Sequence, residues 1–235
     1  MEGHRMTRVL ALVEGATEKA VFDSIIAPHL GMQGVFVYAR IVGKPGHKGG
    51  IRSFKSVLRE LTALIKQEPE SIVTTFFDYY GLPGDWPGIR DFRGQKSNEI
   101  ADTIETAIAD VVIKQFNNSF NPKHFIPYIQ MYELESLLFS EPEEMSETFG
   151  YPEFQEIFEK IVEDCGGCEE INDNPRSHPS KRIETLYPLY KKGQSDLTHA
   201  PRIAKKIKIN PIREACPHFN KWLTQLERLS NEGLI

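Results

Sequence analysis

The chain has 235 residues, 40% of them apolar and 26% charged, with a formal net charge of −5 and three cysteines. That length buries a core without staples, that composition is too apolar for disorder, and no apolar run approaches the ~20 residues that span a bilayer. The odd cysteine count argues against a secreted disulfide scaffold, and MEGHRMTRV enters apolar sequence with no signal-peptide anatomy, so a cytoplasmic protein with no membrane contact is expected.

Thr7 to Val13 (TRVLALV) is nearly continuous in apolar character, the signature of a parallel strand buried on both faces. Glu14 and Gly15 end it, and Thr17 can cap a helix with Val21, Phe22, Ile25, Ile26 and Leu30 on its buried face. A second strand is expected over Val35 to Val42, then a flexible basic loop from Gly43 to Gly50 (GKPGHKGG). Ile51, Phe54, Leu58, Leu61 and Ile65 mark one face of a second helix. Ile72 to Phe77 (IVTTFF), β-branched and aromatic, predicts a third strand ending at Asp78. A Gly- and Pro-rich loop follows, then a helix burying Ile100, Ile104, Ala107, Ile108 and Val111. Phe125 to Tyr132 reads as a fourth strand, which Pro127 confines to an edge or bulges.

Beyond Leu138 the pattern turns helical, around Phe154 to Val162, Lys181 to Tyr190, Pro201 to Ile207 and Phe219 to Leu229. Alternating strands and helices imply βαβ units and a parallel sheet. The expected fold class is α/β, a parallel sheet flanked by helices over residues 1–138, followed by an all-helical region over 139–235.

In open parallel sheets, ligands bind beyond the carboxyl ends of the strands. Glu14 and Asp78 end strands, Glu133 and Glu135 follow one, and Glu18 lies four residues past Glu14. Each acid alone is ordinary: Glu18 suits a helix N-terminus, and loop glutamates are commonly solvated. Their recurrence at strand ends points to one acidic rim, where hard Mg²⁺ or Mn²⁺ relieves the repulsion. Since the net charge is negative, nucleic acid contact needs such ions or local basic patches.

VEGATEKAVF after the first strand and FFDYYGLPGDWPG after a later one resemble the Toprim-like superfamily, shared by topoisomerase and primase catalytic domains and OLD-type nucleases. With MYELESLLF, HPSKRI and DLTHAPRIAKKI added, nearly the whole chain resembles the family domain of unknown function 4276, whose members resemble partners of AAA-type ATPases in bacterial defence loci. The resemblance implies a Mg²⁺ site with the Toprim glutamate at Glu14, the second OLD-like acid at Glu18 and the first aspartate of the D-x-D pair at Asp78. Tyr80 stands where the second aspartate belongs, and of Asp85, Glu133 and Glu135 the best substitute is Glu133, directly after a strand. The implied activity is metal-dependent phosphodiester cleavage with catalytic Glu14, Asp78 and Glu133. The alternative is a catalytically silent Toprim-like subunit that binds a partner or nucleic acid.

Lys44, Lys48 and Arg52, and Lys181 and Arg182 beside a helix start at Ser180, are candidates for contact with nucleic acid phosphates; their bland alternative is a solvated surface. Arg202, Lys205, Lys206 and Lys208 on an amphipathic helix suggest an interaction surface. Cys165 and Cys168 with Cys216 and His218 offer zinc ligands, but their separation of ~50 residues exceeds finger spacing and disfavours zinc. A Walker A loop is absent from the sequence, so an ATPase partner would supply nucleotide hydrolysis.

Overall fold

The computed structural model describes residues 6–44, 47, 48, 50, 53–90, 92–116, 120–172 and 174–230. Strand β1 (Thr7–Val13) points Val9, Ala11 and Val13 into one core and Leu10 and Leu12 into another, which is why it reads as a continuous apolar run. Helix α1 (Ala16–Val21) passes through a π-helical turn at Phe22–Ile26 into α2 (Ala27–Gly31). Val21, Phe22, Ile25, Ile26 and Leu30 pack on the Val9 face as their spacing requires. Strand β2 (Val35–Ile41) pairs parallel with β1 along its whole length.

The expected flexible loop instead contains a small antiparallel hairpin, β3 (Gly43–Lys44) with β4 (His47–Lys48). Glu60 of α3 (Phe54–Gln67) anchors it by accepting the Gly43 N–H at 2.9 Å. Ile51, expected on the α3 face, lies outside the described residues, and Val57 and Leu64 join Phe54, Leu61 and Ile65 in the core while Leu58 is half-buried. Strand β5 (Ile72–Asp78), buried at every residue, pairs parallel with β1. In α4 (Ser97–Lys114), Ala101 and Val112 are buried where Ala107 and Val111 were expected, and those two are only half-buried.

The fourth strand is split by Pro127 into β6 (Phe125–Ile126) and β7 (Ile129–Gln130), both parallel to β5 at the sheet edge. Because proline lacks a donor, side chains complete the break. Thr74 Oγ1 donates to Ile126 O at 2.6 Å, Thr75 Oγ1 donates to Tyr128 O at 3.0 Å, and Tyr128 N donates to Thr75 Oγ1 at 2.9 Å.

The rest is helical among the described residues: a 3₁₀ segment (Leu134–Ser140), then α5 (Pro142–Phe149), α6 (Gln155–Cys165), α7 (Pro179–Leu186), α8 (Asp196–Ile207), α9 (Ile209–Ala215) and α10 (Pro217–Arg228). Helix α8 starts five residues before Pro201, so the proline sits inside it; the carbonyl it frees belongs to exposed Leu197. The helical region covers the same sheet face as α1 and α2, and Leu137, Phe158, Ile203 and Trp222 share one apolar core with Val9 and Phe76. Helices α3 and α4 cover the other face. The fold is an α/β parallel sheet, order β2-β1-β5-β6, with a helical C-terminal region. No helix among the described residues is long and apolar enough to cross a membrane.

Candidate metal centre

At the carboxyl end of β1, Glu14 continues the ladder by donating its N–H to Phe76 O. Gly15 follows in extended backbone that any residue can adopt; a Cβ there would lie 2.8 Å from Glu18 Oε2, so a larger residue would push that carboxylate aside. Glu18, third in α1, turns its carboxylate toward the backbone N–H groups of Gly15 and of its own residue, which favour its charged form against burial. Gly15 therefore leaves room for a buried carboxylate behind Glu14.

Asp78 ends β5, where its N–H reaches Glu14 Oε2 at 3.4 Å and its Oδ1 accepts Leu134 N–H at 2.9 Å. Tyr132 adopts φ +59, an uncommon left-handed conformation for an aromatic residue. That turn carries the chain from β7 into the 3₁₀ segment, with Glu133 at its N-cap and Glu135 in its first turn. Glu18, Asp78, Glu133 and Glu135 are all buried, and Glu14 opens onto a cleft of about 720 Å³.

Among the described residues one ammonium reaches this group. Lys192 Nζ lies 2.8 Å from Glu133 Oε1, 3.0 Å from Asp78 Oδ2 and 3.6 Å from Glu135 Oε2. Tyr190 donates its hydroxyl to Glu135 Oε1 at 2.9 Å, while Glu135 Oε2 is buried with no hydrogen-bond partner. A sixth acid, Asp196, is buried alongside and accepts from Thr17 Oγ1 at 3.1 Å. Burial, with repulsion from Glu18, pushes the Glu14 carboxyl up to about 7. Burial outweighs Lys192 to push Glu135 up to about 7 as well, and it raises Asp78 and Glu18 above the usual carboxylate range. The surrounding acids hold the Lys192 ammonium well above its ordinary value, against the effect of burial.

Glu133 differs from its neighbours. Burial alone would raise it, but Lys192, the Ser180 N–H and His178 together bring it below its ordinary value. Its carboxylate accepts from Ser180 N (2.7 Å) and Ser180 Oγ (3.1 Å), and His178 Nδ1 lies at 3.1 Å. The N-terminus of α7, read from the sequence as suited to a phosphate, thus receives the protein's own carboxylate.

The cleft mouth is basic. Lys181 and Lys191 both pair with Glu184 (2.6 and 2.7 Å), and together they hold that half-buried carboxyl down to about 2. Tyr80, in place of the second aspartate, stacks on His178 at 4.6 Å and lines the cleft.

The five carboxylates expected at the strand ends come together, and Lys181 lines the same cleft. Arg182 instead donates to Ser177 O and Cys165 Sγ. Asp85 is elsewhere, accepting the Phe54 N–H at the start of α3. Lys44 and Lys48 fall in the hairpin with their side chains undescribed, and Arg52 lies outside the described residues. Arg202, Lys205 and Lys208 are exposed on or after α8, and Lys206 pairs with Glu147 at 3.5 Å. Cys168 and Cys216 are buried against each other, whereas His218 Nε2 lies 2.9 Å from Glu105. Lys192, Tyr190 and Asp196 were not read as site residues from the sequence. YKKGQS carries no motif, Asp196 was met only as the first residue of DLTHAPRIAKKI, and the packing of the helical region on the strand ends brings all three to the acids.

The donor set suits a hard divalent cation: every acid offers carboxylate oxygen, the acids outnumber the ammonium, and one buried oxygen has no hydrogen bond. Among the described residues the group that brings one ligand atom from each of three residues within 4.8 Å of one another is Asp102, Glu105 and His218, not these acids, so a cation here must draw them inward or displace the ammonium. No curated protein and no solved structure matches this chain. The family model described as domain of unknown function DUF4276 matches residues 13–227, from the end of β1 through all of these acids and Lys192, and the chain belongs to that family.

Proposed function

We propose that this protein is a Mg²⁺- or Mn²⁺-dependent, Toprim-like phosphodiester-cleaving enzyme that works with an AAA-type ATPase partner in a prokaryotic defence system. One observation carries the metal site: buried carboxylates outnumber the one ammonium that reaches them among the described residues, and Glu135 Oε2 is left without a hydrogen-bond partner. The Toprim type and the ATPase partner rest on the sequence resemblance.

Glu14, Glu18, Asp78 and Glu135 are the residues to hold the cation, because each is raised by burial and gains most from a positive charge. Bound there, the cation would activate water and stabilise charge on the leaving oxygen. Glu133, already satisfied by Ser180 and Lys192, positions the Lys192 ammonium and orients His178. Lys181 and Lys191 at the mouth exchange Glu184 for phosphate oxygens of a nucleic acid strand, a charge-driven contact. A silent subunit is the second reading, favoured by the ammonium that already fills the acid cluster.

The test is calorimetric titration of Mg²⁺ and Mn²⁺ into wild type and into the Glu14→Ala, Asp78→Ala double variant, followed by cleavage assays on DNA and RNA. The enzyme reading expects binding and metal-dependent cleavage in wild type, both lost in the variant. Binding without cleavage supports the silent subunit, and no binding by wild type defeats the metal site.

A further inference from the structure

The two edges of the sheet are built differently. At one, Pro127 splits the strand into β6 and β7, a break that discourages further pairing. The other edge is β2, seven residues in unbroken register with β1, with no proline, lysine or bulge. Among the described residues no strand covers its outer side. On one face Phe36, Tyr38 and Arg40 are exposed, Tyr38 at 55%. An open, regular edge with exposed aromatics is a template for strand addition.

We propose that two copies of this chain associate edge to edge, β2 against β2, antiparallel about a two-fold axis through Tyr38. Two ladder bonds fix which backbone groups are free: Thr7 N donates to Gly34 O, and Val42 N donates to Val13 O. Even-numbered residues of this stretch therefore turn their N–H and C=O toward β1. Val35, Val37, Ala39 and Ile41 turn theirs outward. In the proposed register Val37 faces Ala39 of the other copy, and Val35 faces Ile41. These outward-facing residues become the hydrogen-bonded pairs, and Tyr38 faces its own mate as the closer, non-hydrogen-bonded pair.

The side chains are self-complementary in that register. On the exposed face, each Arg40 guanidinium meets the opposite Phe36 ring, a favourable cation–π pair, and the two Tyr38 rings meet at the axis. Val37 with Ala39 and Val35 with Ile41 line the other face, so no like charges oppose each other. The Arg8 guanidinium already lies over the Tyr38 ring, 5.4 Å from its centroid, which positions the ring before a second copy arrives. A two-fold contact must be complementary to itself, and here every facing pair, Arg40 on Phe36 twice over included, is favourable, which fits a second copy as the occupant. Antiparallel joining puts the two acidic clefts at opposite ends of one continuous sheet, each complete within its own chain.

The full chain is examined by sedimentation velocity across a concentration series, together with Tyr38→Glu, Tyr38→Cys and Phe36→Cys. Wild type should pass from one to two chain masses as concentration rises. Tyr38→Glu, which sets like charges at the axis, should stay monomeric, with the melting temperature that wild type shows at concentrations where it too is monomeric. Under mild oxidation Tyr38→Cys should give a covalent dimer, because such facing pairs place Cα atoms about 4.5 Å apart, within disulfide reach. Phe36→Cys should not, because Phe36 faces Arg40. A wild type monomeric throughout, a dimeric Tyr38→Glu, or Phe36→Cys cross-linking as readily as Tyr38→Cys would each overturn the proposal.

Discussion

Lys192 lies within 3.0 Å of both Asp78 and Glu133, its side chain 40% exposed. An ammonium among buried acids does little for stability as a pair, but its removal leaves those acids uncompensated. Lys192→Met keeps the stem and deletes the charge. The expected loss is about 2–3 kcal/mol at pH 8, below the ~3–5 of a fully buried pair because solvent reaches the lysine. The loss should shrink at pH 5, where Asp78 and Glu135 can take up protons in its place. Urea denaturation at the two pH values measures both; equal stability of variant and wild type at pH 8 would show that Lys192 does not balance the cluster. The acids were legible in the sequence because strand ends converge by topology, so Glu14 and Asp78 need only be recognised as strand-terminal. Lys192 and Tyr190 were not, because the helix expected over Lys181 to Tyr190 stops at Leu186 and both reach the site from the irregular stretch beyond it.

Trp222 shows how two elements distant in sequence become one unit. Its ring packs on Tyr128 at 4.6 Å and on Phe22 and Phe76 at 5.8 Å, and its Nε1 donates to Thr74 Oγ1 of β5 at 2.9 Å. Removing a buried aromatic of this kind costs about 3–5 kcal/mol. Trp222→Ala should lower the denaturation midpoint by a corresponding amount. Trp86, the only other tryptophan, lies in the core on the opposite sheet face and becomes the sole fluorescent reporter. Coincident Trp86 fluorescence and far-UV dichroism transitions would mean that α10 and the sheet unfold together; separated transitions would mean that they do not. The strands were legible because β1 and β5 are buried on both faces and read as unbroken apolar runs. The hairpin at Gly43–Lys48 and the start of α8 were not: the first depends on Glu60 in a later helix, and the second runs through a proline that local rules treat as a boundary.

For the molecule as a whole, the acid cluster sets how stability depends on pH. Glu14 and Glu135 rise from 4.5 in the unfolded chain to about 7 in the folded one, and Asp78 and Glu18 rise too. A group raised on folding contributes stability that is present below its unfolded value and lost as pH climbs through its folded value, since the native state binds the extra proton. Glu133 and Glu227 shift down, so their contribution is lost in acid. The metal-free protein should therefore be most stable near pH 5 and weaken steadily toward pH 8. A divalent cation reverses the upper limb: it binds the deprotonated carboxylates of the folded state only, and its stabilisation grows as protons leave. Melting temperatures from pH 5 to pH 8, in EDTA and in excess Mn²⁺, separate the two effects. In EDTA the melting temperature should fall across that range, and in Mn²⁺ the fall should be smaller or reversed. A flat profile in EDTA would mean that these carboxylates are not protonated in the fold, and identical falling profiles would mean that protons, rather than a metal, neutralise the site.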